Sequence, residues 1–213
     1  MEPGMVSHNE AAHGEGRTRR DAEPRENAIP GEESFQGVLD AALANAEWAW
    51  EALYRAHASA LLGYLRSQNA PSPEDLLGEV FVSVVRDLHR FSGTAGAFRG
   101  WVFRIAQHRL IDARRAERRR PRIADLEPPD VTDTADGPGA ALEARELVAL
   151  LGMLPADQRA VLYLRYVADL SQNEIADVLG KRVGAVKMLQ RRGQDRLAGD
   201  LSARRYLSDG SVA

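Results

Sequence analysis

Residues 170–197, LSQNEIADVLGKRVGAVKMLQRRGQDRL, constrain this chain more than any other stretch. Ser171 with Glu174 three residues on is a capping-box signature, so a helix begins there. Ile175, Val178 and Leu179 give it one apolar stripe, and Ala176 is small enough to let another helix approach. Gly180 ends it, because glycine takes the left-handed C′ conformation without strain. A second helix follows Val183-Gly184, with Val186, Leu189 and Leu197 inward. Its other face carries Lys187, Gln190, Arg191, Arg192, Gln194 and Arg196. A short helix, a tight turn and a basic, amide-rich second helix make a helix-turn-helix that reads a DNA major groove. A plain helical hairpin with a wet face would share the charge, but not the placement of Ala176, Gly180 and Val186.

Composition narrows the remaining choices. At 213 residues and 44% hydrophobic, the chain holds one or two modest domains. It lacks cysteine, so no disulfide framework or thiolate metal site is expected. No apolar run is long enough to cross a bilayer, and the first residues lack the apolar segment of a secretory signal. A cytoplasmic protein is the expectation. The net charge of −3 conceals a strong asymmetry along the chain.

Residues 1–34 are rich in Gly, Pro, Glu and Arg, and read as a disordered extension. Order is expected from Phe35, with a short helix through Leu43 broken at Asn45. A second helix is expected from Trp48 through about Arg66, carrying Leu53, Leu61, Leu62 and Leu65. After Pro71 and Pro73 comes EDLLGEVFVSVVRDL at 74–88, with Leu77, Val80, Phe81, Val84, Val85 and Leu88 inward. Asp75, Gly78, Glu79, Ser83 and Arg86 fall on or beside its exposed face. Three glycines in the segment from Arg90 through Gly100 indicate a loop, and a long helix is predicted from about Ala97 to Arg120, stopped by Pro121.

That long helix begins with Trp101, Phe103 and Ile105 and ends in arginine: Arg109, Arg114, Arg115, Arg118, Arg119 and Arg120, with Arg122 just beyond. Seven guanidinium groups within residues 109–122 repel one another unless an anion is near. Aromatic rings that stack on unpaired bases, followed by phosphate-neutralising arginines, suit melted DNA. Phe103 is expected in the core, while Trp101 can serve both uses. Residues 121–142 form an acidic linker with Asp125, Glu127, Asp130, Asp133 and Asp136. A helix from Glu143 to Met153 and another after Leu154-Pro155 lead into the helix-turn-helix, with a polar tail over 202–213. The expected architecture is all-α: two small helical domains, 35–120 and 143–201, joined by a flexible acidic strap.

With these parts in place, the chain resembles a bacterial RNA polymerase sigma factor of the sigma-70 family, in the compact extracytoplasmic function (ECF) group. Three segments carry the resemblance: EDLLGEVF at 74–81, FRGWVFRIAQHRLIDARR at 98–115, and LPADQRAVLYLRYVADLSQNEIADVLGKRVGAVKMLQRR at 154–192. It implies a region 2 bundle, a region 4 helix-turn-helix, and transcription initiation directed by −10 and −35 promoter elements. Asp75, Leu76, Glu79 and Phe81 would dock on the polymerase β′ clamp helices. Gly78 stands where relatives usually have Gln. Phe98, Trp101, His108, Arg109, Arg114, Arg115, Arg118 and Arg119 would meet the −10 DNA, beside a loop at 91–97 that cradles a flipped base. Lys187, Met188, Arg191 and Arg192 would face the −35 duplex, Met188 replacing a frequent small hydroxyl residue. The implied partners are core RNA polymerase (β and β′ subunits), promoter DNA and an anti-sigma factor. The linker would thread toward the active-site cleft and the RNA exit path.

Two rivals stand beside this reading. A helix-turn-helix regulator acting without polymerase would need a sensor domain or phosphoacceptor, which residues 36–120 do not offer. A nucleic-acid enzyme would need catalytic spacing. His8, His13, His57, His89 and His108 are scattered, and no Gly-rich phosphate loop occurs, so neither catalytic residues, metal, cofactor nor small-molecule substrate is expected.

Overall fold

The computed structural model describes residues 32–119 and 150–209, with side chains over 34–119 and 150–199. Every regular element among them is helical. The acidic linker over 121–142, the helix expected from Glu143 as far as residue 149, and the N-terminal extension through residue 31 lie outside the described residues.

Helix α1 spans Glu32–Leu43 and α2 Glu47–Ser67. The break between them falls at Asn45, whose φ of 59° is a left-handed conformation that asparagine tolerates better than most residues. Helix α3 spans Pro73–Asp87, with proline at its first turn, where the missing N–H removes no bond. A 3-10 turn, Leu88–Arg90, leads to α4 at Ala95–Arg119. Residues 150–152 close a helical turn before Met153. Then come α5 at Ala156–Tyr166, α6 at Gln172–Leu179 and α7 at Val183–Asp209. The last helix therefore runs beyond Leu201, where a polar tail was expected.

Helices α1–α4 enclose Phe35, Leu53, Leu61, Leu65, Val80, Val84, Leu88, Phe98, Val102, Phe103 and Leu110, all essentially without solvent contact. Helices α5–α7 enclose Val161, Leu164, Ile175, Val178 and Val186. The helices fall close to where the sequence predicts them, but some faces shift by one residue. Trp48 is 58% exposed and Val85 54%, because each sits one step off the stripe its helix buries. Ser83 shows the reverse displacement. It lies three residues after Val80 on the inner face and is buried, its hydroxyl donating to the Glu79 carbonyl at 2.8 Å.

The two bodies share a seam. α6 packs on α4, and α5 packs on α2. Tyr163 of α5 donates its hydroxyl to the Ala60 carbonyl at 2.9 Å, and its ring lies 5.7 Å from that of Tyr64. Burial pushes both phenol pKa values upward, so both rings stay neutral.

Candidate nucleic-acid interface

The helix-turn-helix is built as its residues dictate. The Ser171 hydroxyl accepts from the Glu174 N–H at 3.3 Å, and the Glu174 carboxylate accepts from the Ser171 N–H at 2.7 Å. This completes the capping box. Gly180 has φ 61°, and its N–H returns to the Ala176 carbonyl. Lys181 pairs with Asp157 at 2.9 Å and ties the turn to α5. Close packing of α7 on α5 requires Gly193: a Cβ there would meet Leu162 at 3.0 Å. Lys187, Met188, Arg191 and Arg192 all project to solvent from one broad face of α7, with Met188 47% exposed. Arg191 lies 3.9 Å from Asp195 one turn on, an exposed pair that holds it only weakly.

A second basic face runs along α4. Trp101, Arg104, His108, Arg115 and Arg119 recur at helical spacing; Trp101 is half-buried and the other four are exposed. Arg118 is also exposed, beside this stripe. The other residues expected at the −10 DNA are held elsewhere. Phe98 is 1% exposed and sits among the rings of Phe35, His57, Phe91 and Trp101, at centroid distances of 5.2–5.6 Å. Packing on four rings leaves it no face for a base, so its part is to support Trp101 from beneath. Arg109 donates twice to the Ser83 hydroxyl, at 3.2 and 2.7 Å, and Arg114 donates to the Gln68 carbonyl. Both are half-buried struts within the first body. Arg104 was missed in the sequence, although it lies at i+3 from Trp101 on the same stripe.

The loop before α4 is anchored by Gln36, which donates to the Gly93 carbonyl at 2.9 Å, and by the Thr94 hydroxyl, which accepts from the Ala97 N–H at 3.2 Å. Beside it opens a cavity of about 370 Å³ lined by Phe91, Trp101, Arg90 and Arg104 from the first body and Glu174 and Asp177 from α6. Two carboxylates of the helix-turn-helix thus stand over the basic, aromatic end of α4. Arg99 adds a bond to the Ala168 carbonyl at 3.4 Å and a contact with Asp169 at 3.6 Å.

A third face is acidic and apolar. On α3, Asp75, Gly78, Glu79, Val82 and Arg86 share one exposed side, and Val82 is 67% exposed. Phe81 flanks this side, its ring 4.7 Å from Tyr54. Leu76, expected to dock on a partner, is 5% exposed and belongs to the core: it points about 100° away from Asp75 around the helix. Among the described residues no group of His, Asp or Glu is arranged to hold a metal ion, and no helix is long and apolar enough to cross a membrane.

Comparison with known proteins gives the family these helices belong to. Residues 53–120 match the family model for Sigma-70 region 2, and residues 144–197 that for Sigma-70, region 4. The ECF RNA polymerase sigma factor ShbA of Streptomyces griseus is 36% identical over 135 residues, covering 58% of this chain and 69% of that protein. SigD of Mycobacterium bovis, also an ECF RNA polymerase sigma factor, is 34% identical over 136 residues, covering 62% of this chain and 64% of that protein. The structure of CnrH in complex with the cytosolic domain of CnrY aligns with 79% of this chain and 97% of the matched chain, at 26% identity and a TM-score of 0.55.

Proposed function

We infer the work of each helical body from one premise: the chain belongs to the sigma-70 family of RNA polymerase sigma factors, in the ECF group. It binds core RNA polymerase and promoter DNA and directs initiation at the promoters it recognises. The observation that carries this reading is that three faces of different character sit on separate helices of one chain. These are the acidic, apolar side of α3, the arginine stripe of α4 and the basic side of α7.

Residues 35–120 form the polymerase-anchoring and −10-reading domain, and residues 143–201 the −35-reading domain. Asp75 and Glu79 dock on the β′ clamp helices with Val82 between them and Phe81 at the flank; Leu76 holds this face up from within. Trp101, Arg104 and His108 meet the −10 strand, and Arg115, Arg118 and Arg119 follow its phosphates. Lys187, Met188, Arg191 and Arg192 enter the −35 major groove, where Met188 offers apolar contact to a thymine methyl. Phosphate contacts set register and the few base contacts specify sequence. The protein works in the cytoplasm without chemistry, cofactor or small-molecule substrate of its own, and an anti-sigma factor is its natural restraint.

Arg191→Ala combined with Arg192→Ala is expected to abolish transcription from a −35-bearing promoter while core polymerase is still retained. Loss of polymerase binding in that variant would overturn this division of roles.

A further inference from the structure

One group on the C-terminal body has a use that the recognition helix alone does not explain. Tyr166, the last residue of α5, is 57% exposed, yet its hydroxyl oxygen is engaged by two amide donors. Gln194 Nε2 donates to it at 2.6 Å and Gln190 Nε2 at 3.3 Å, both from α7. Gln172, the first residue of α6, donates in turn to Gln190 Oε1 at 3.1 Å. One short chain of hydrogen bonds therefore links all three helices of the reading module, and it ends on a phenol.

With its oxygen taken by two donors, the phenol has its own O–H left to give, and among the described residues nothing accepts it. Two donated hydrogen bonds also polarise that O–H and make it a better donor. Its surroundings select the acceptor. Arg165 precedes it in sequence. The adjoining cleft is lined by Arg165, Ser171, Gln172, Asn173, Val183 and Lys187, with two cations and no carboxylate. On α7, Gln190 and Gln194 lie on the same side as Lys187, one and two turns further on, with Arg191 the next step around the helix. A donor beside the groove-reading residues, in a cationic setting, is suited to a backbone phosphate more than to a base edge.

We propose that the Tyr166 hydroxyl donates to a phosphodiester oxygen of the −35 duplex, with Gln190, Gln194 and Gln172 as positioning residues that aim it. The inference rests on the sigma-factor reading and adds to it an uncharged register contact. Being neutral, that contact contributes affinity without releasing a counterion.

The test uses holoenzyme, made from the full chain and core polymerase. The probe is a fluorescent duplex carrying the −35 sequence that this holoenzyme enriches most from a randomised library. Tyr166→Phe should weaken binding about tenfold, by a similar factor on duplexes with each base pair changed. The log–log salt slope should not move. A neutral methylphosphonate scanned along the backbone should cost the wild type more than Tyr166→Phe at one position only. Gln194→Ala should lose part of the same affinity, and nothing further in the Tyr166→Phe background. Unchanged affinity in Tyr166→Phe, or a loss confined to one base pair, would overturn the proposal. If Arg191→Ala with Arg192→Ala were equally silent on that duplex, the failure would lie with the sigma-factor reading itself.

Discussion

Tyr163 occupies the space that a side chain at Gly63 would need: a Cβ built on Gly63 would lie 2.3 Å from the Tyr163 hydroxyl oxygen. Since Tyr163 is buried and bonded to the Ala60 carbonyl, it cannot yield without giving up that bond. The first and second bodies thus meet through a glycine on α2 and a phenol on α5. Across the same seam Arg159 is 7% exposed with its Nε unpartnered, and burial, then the nearby Arg114 guanidinium, lowers its pKa. Close packing holds the seam together while like charges oppose it.

Gly63→Val is therefore expected to part the bodies while leaving each folded. Overpacking of this kind costs about 1–3 kcal/mol. Small-angle scattering of the isolated chain should report a larger radius of gyration. With Glu174 and Asp177 withdrawn from Trp101 and Arg104, a single-stranded −10 oligonucleotide should also bind more tightly. Unchanged scattering and affinity would mean that the seam yields locally and does not cover the Trp101–Arg104 end of α4.

The arginines of α4 should separate into two classes. Arg115→Ala, Arg118→Ala and Arg119→Ala should each lower the salt slope of promoter binding by about 0.7–0.9, the share of one neutralised phosphate, with little change in melting temperature. Arg109→Ala should instead lower stability by about 1–3 kcal/mol, because it leaves the buried Ser83 hydroxyl without its donor. Equal salt slopes for Arg109→Ala and Arg115→Ala would erase the distinction.

Much of this was legible beforehand, and the exceptions share a cause. The capping box, the Gly180 stop and the inward Val186 were readable because each is a local rule with a local signature. Asn45 and Pro73 marked helix boundaries for the same reason. Phe98, Leu76, Arg109 and Ser83 were misplaced because an exposed and a buried position on one helix differ by a single 100° step. Family likeness assigns a role to a segment, but burial decides which side chain of that segment can reach a partner. The seam had no local signature. Gly63 reads as an ordinary helical glycine until Tyr163, 100 residues away, is set against it.

The α3 face gives another contrast. Val82→Asp should lower core-polymerase retention in a pull-down about tenfold or more while melting is unchanged, since Val82 is exposed and an acid there meets no buried contact. Leu76→Ala should cost about 2–5 kcal/mol of stability, as a truncated core leucine does. Stable protein with intact fold but lost polymerase binding in Leu76→Ala would return that residue to the docking face.

His57 makes stability depend on pH. Burial first, and the Arg99 charge second, lower its pKa from 6.5 to about 4. The ring packs 5.4 Å from Phe98 as a neutral group. Because the unfolded chain takes up a proton near 6.5 and the folded chain only near 4, the stability due to this group is complete above the first value. It falls as pH drops toward the second. The total is about 3 kcal/mol. Denaturant titrations from pH 7 to pH 4 should show a shallower fall in His57→Gln than in wild type; parallel curves would rule out an imidazole held neutral in the fold.

Start-site selection by core polymerase tests the whole account most directly. Purified chain is added to sigma-free core enzyme, and run-off transcripts are mapped on templates carrying the −35 and −10 sequences which the mixture itself enriches. One defined start site is expected, appearing only with the chain present and disappearing when either element is scrambled. Transcripts that are equally dispersed with and without the chain would contradict it, however tightly α7 alone held the duplex.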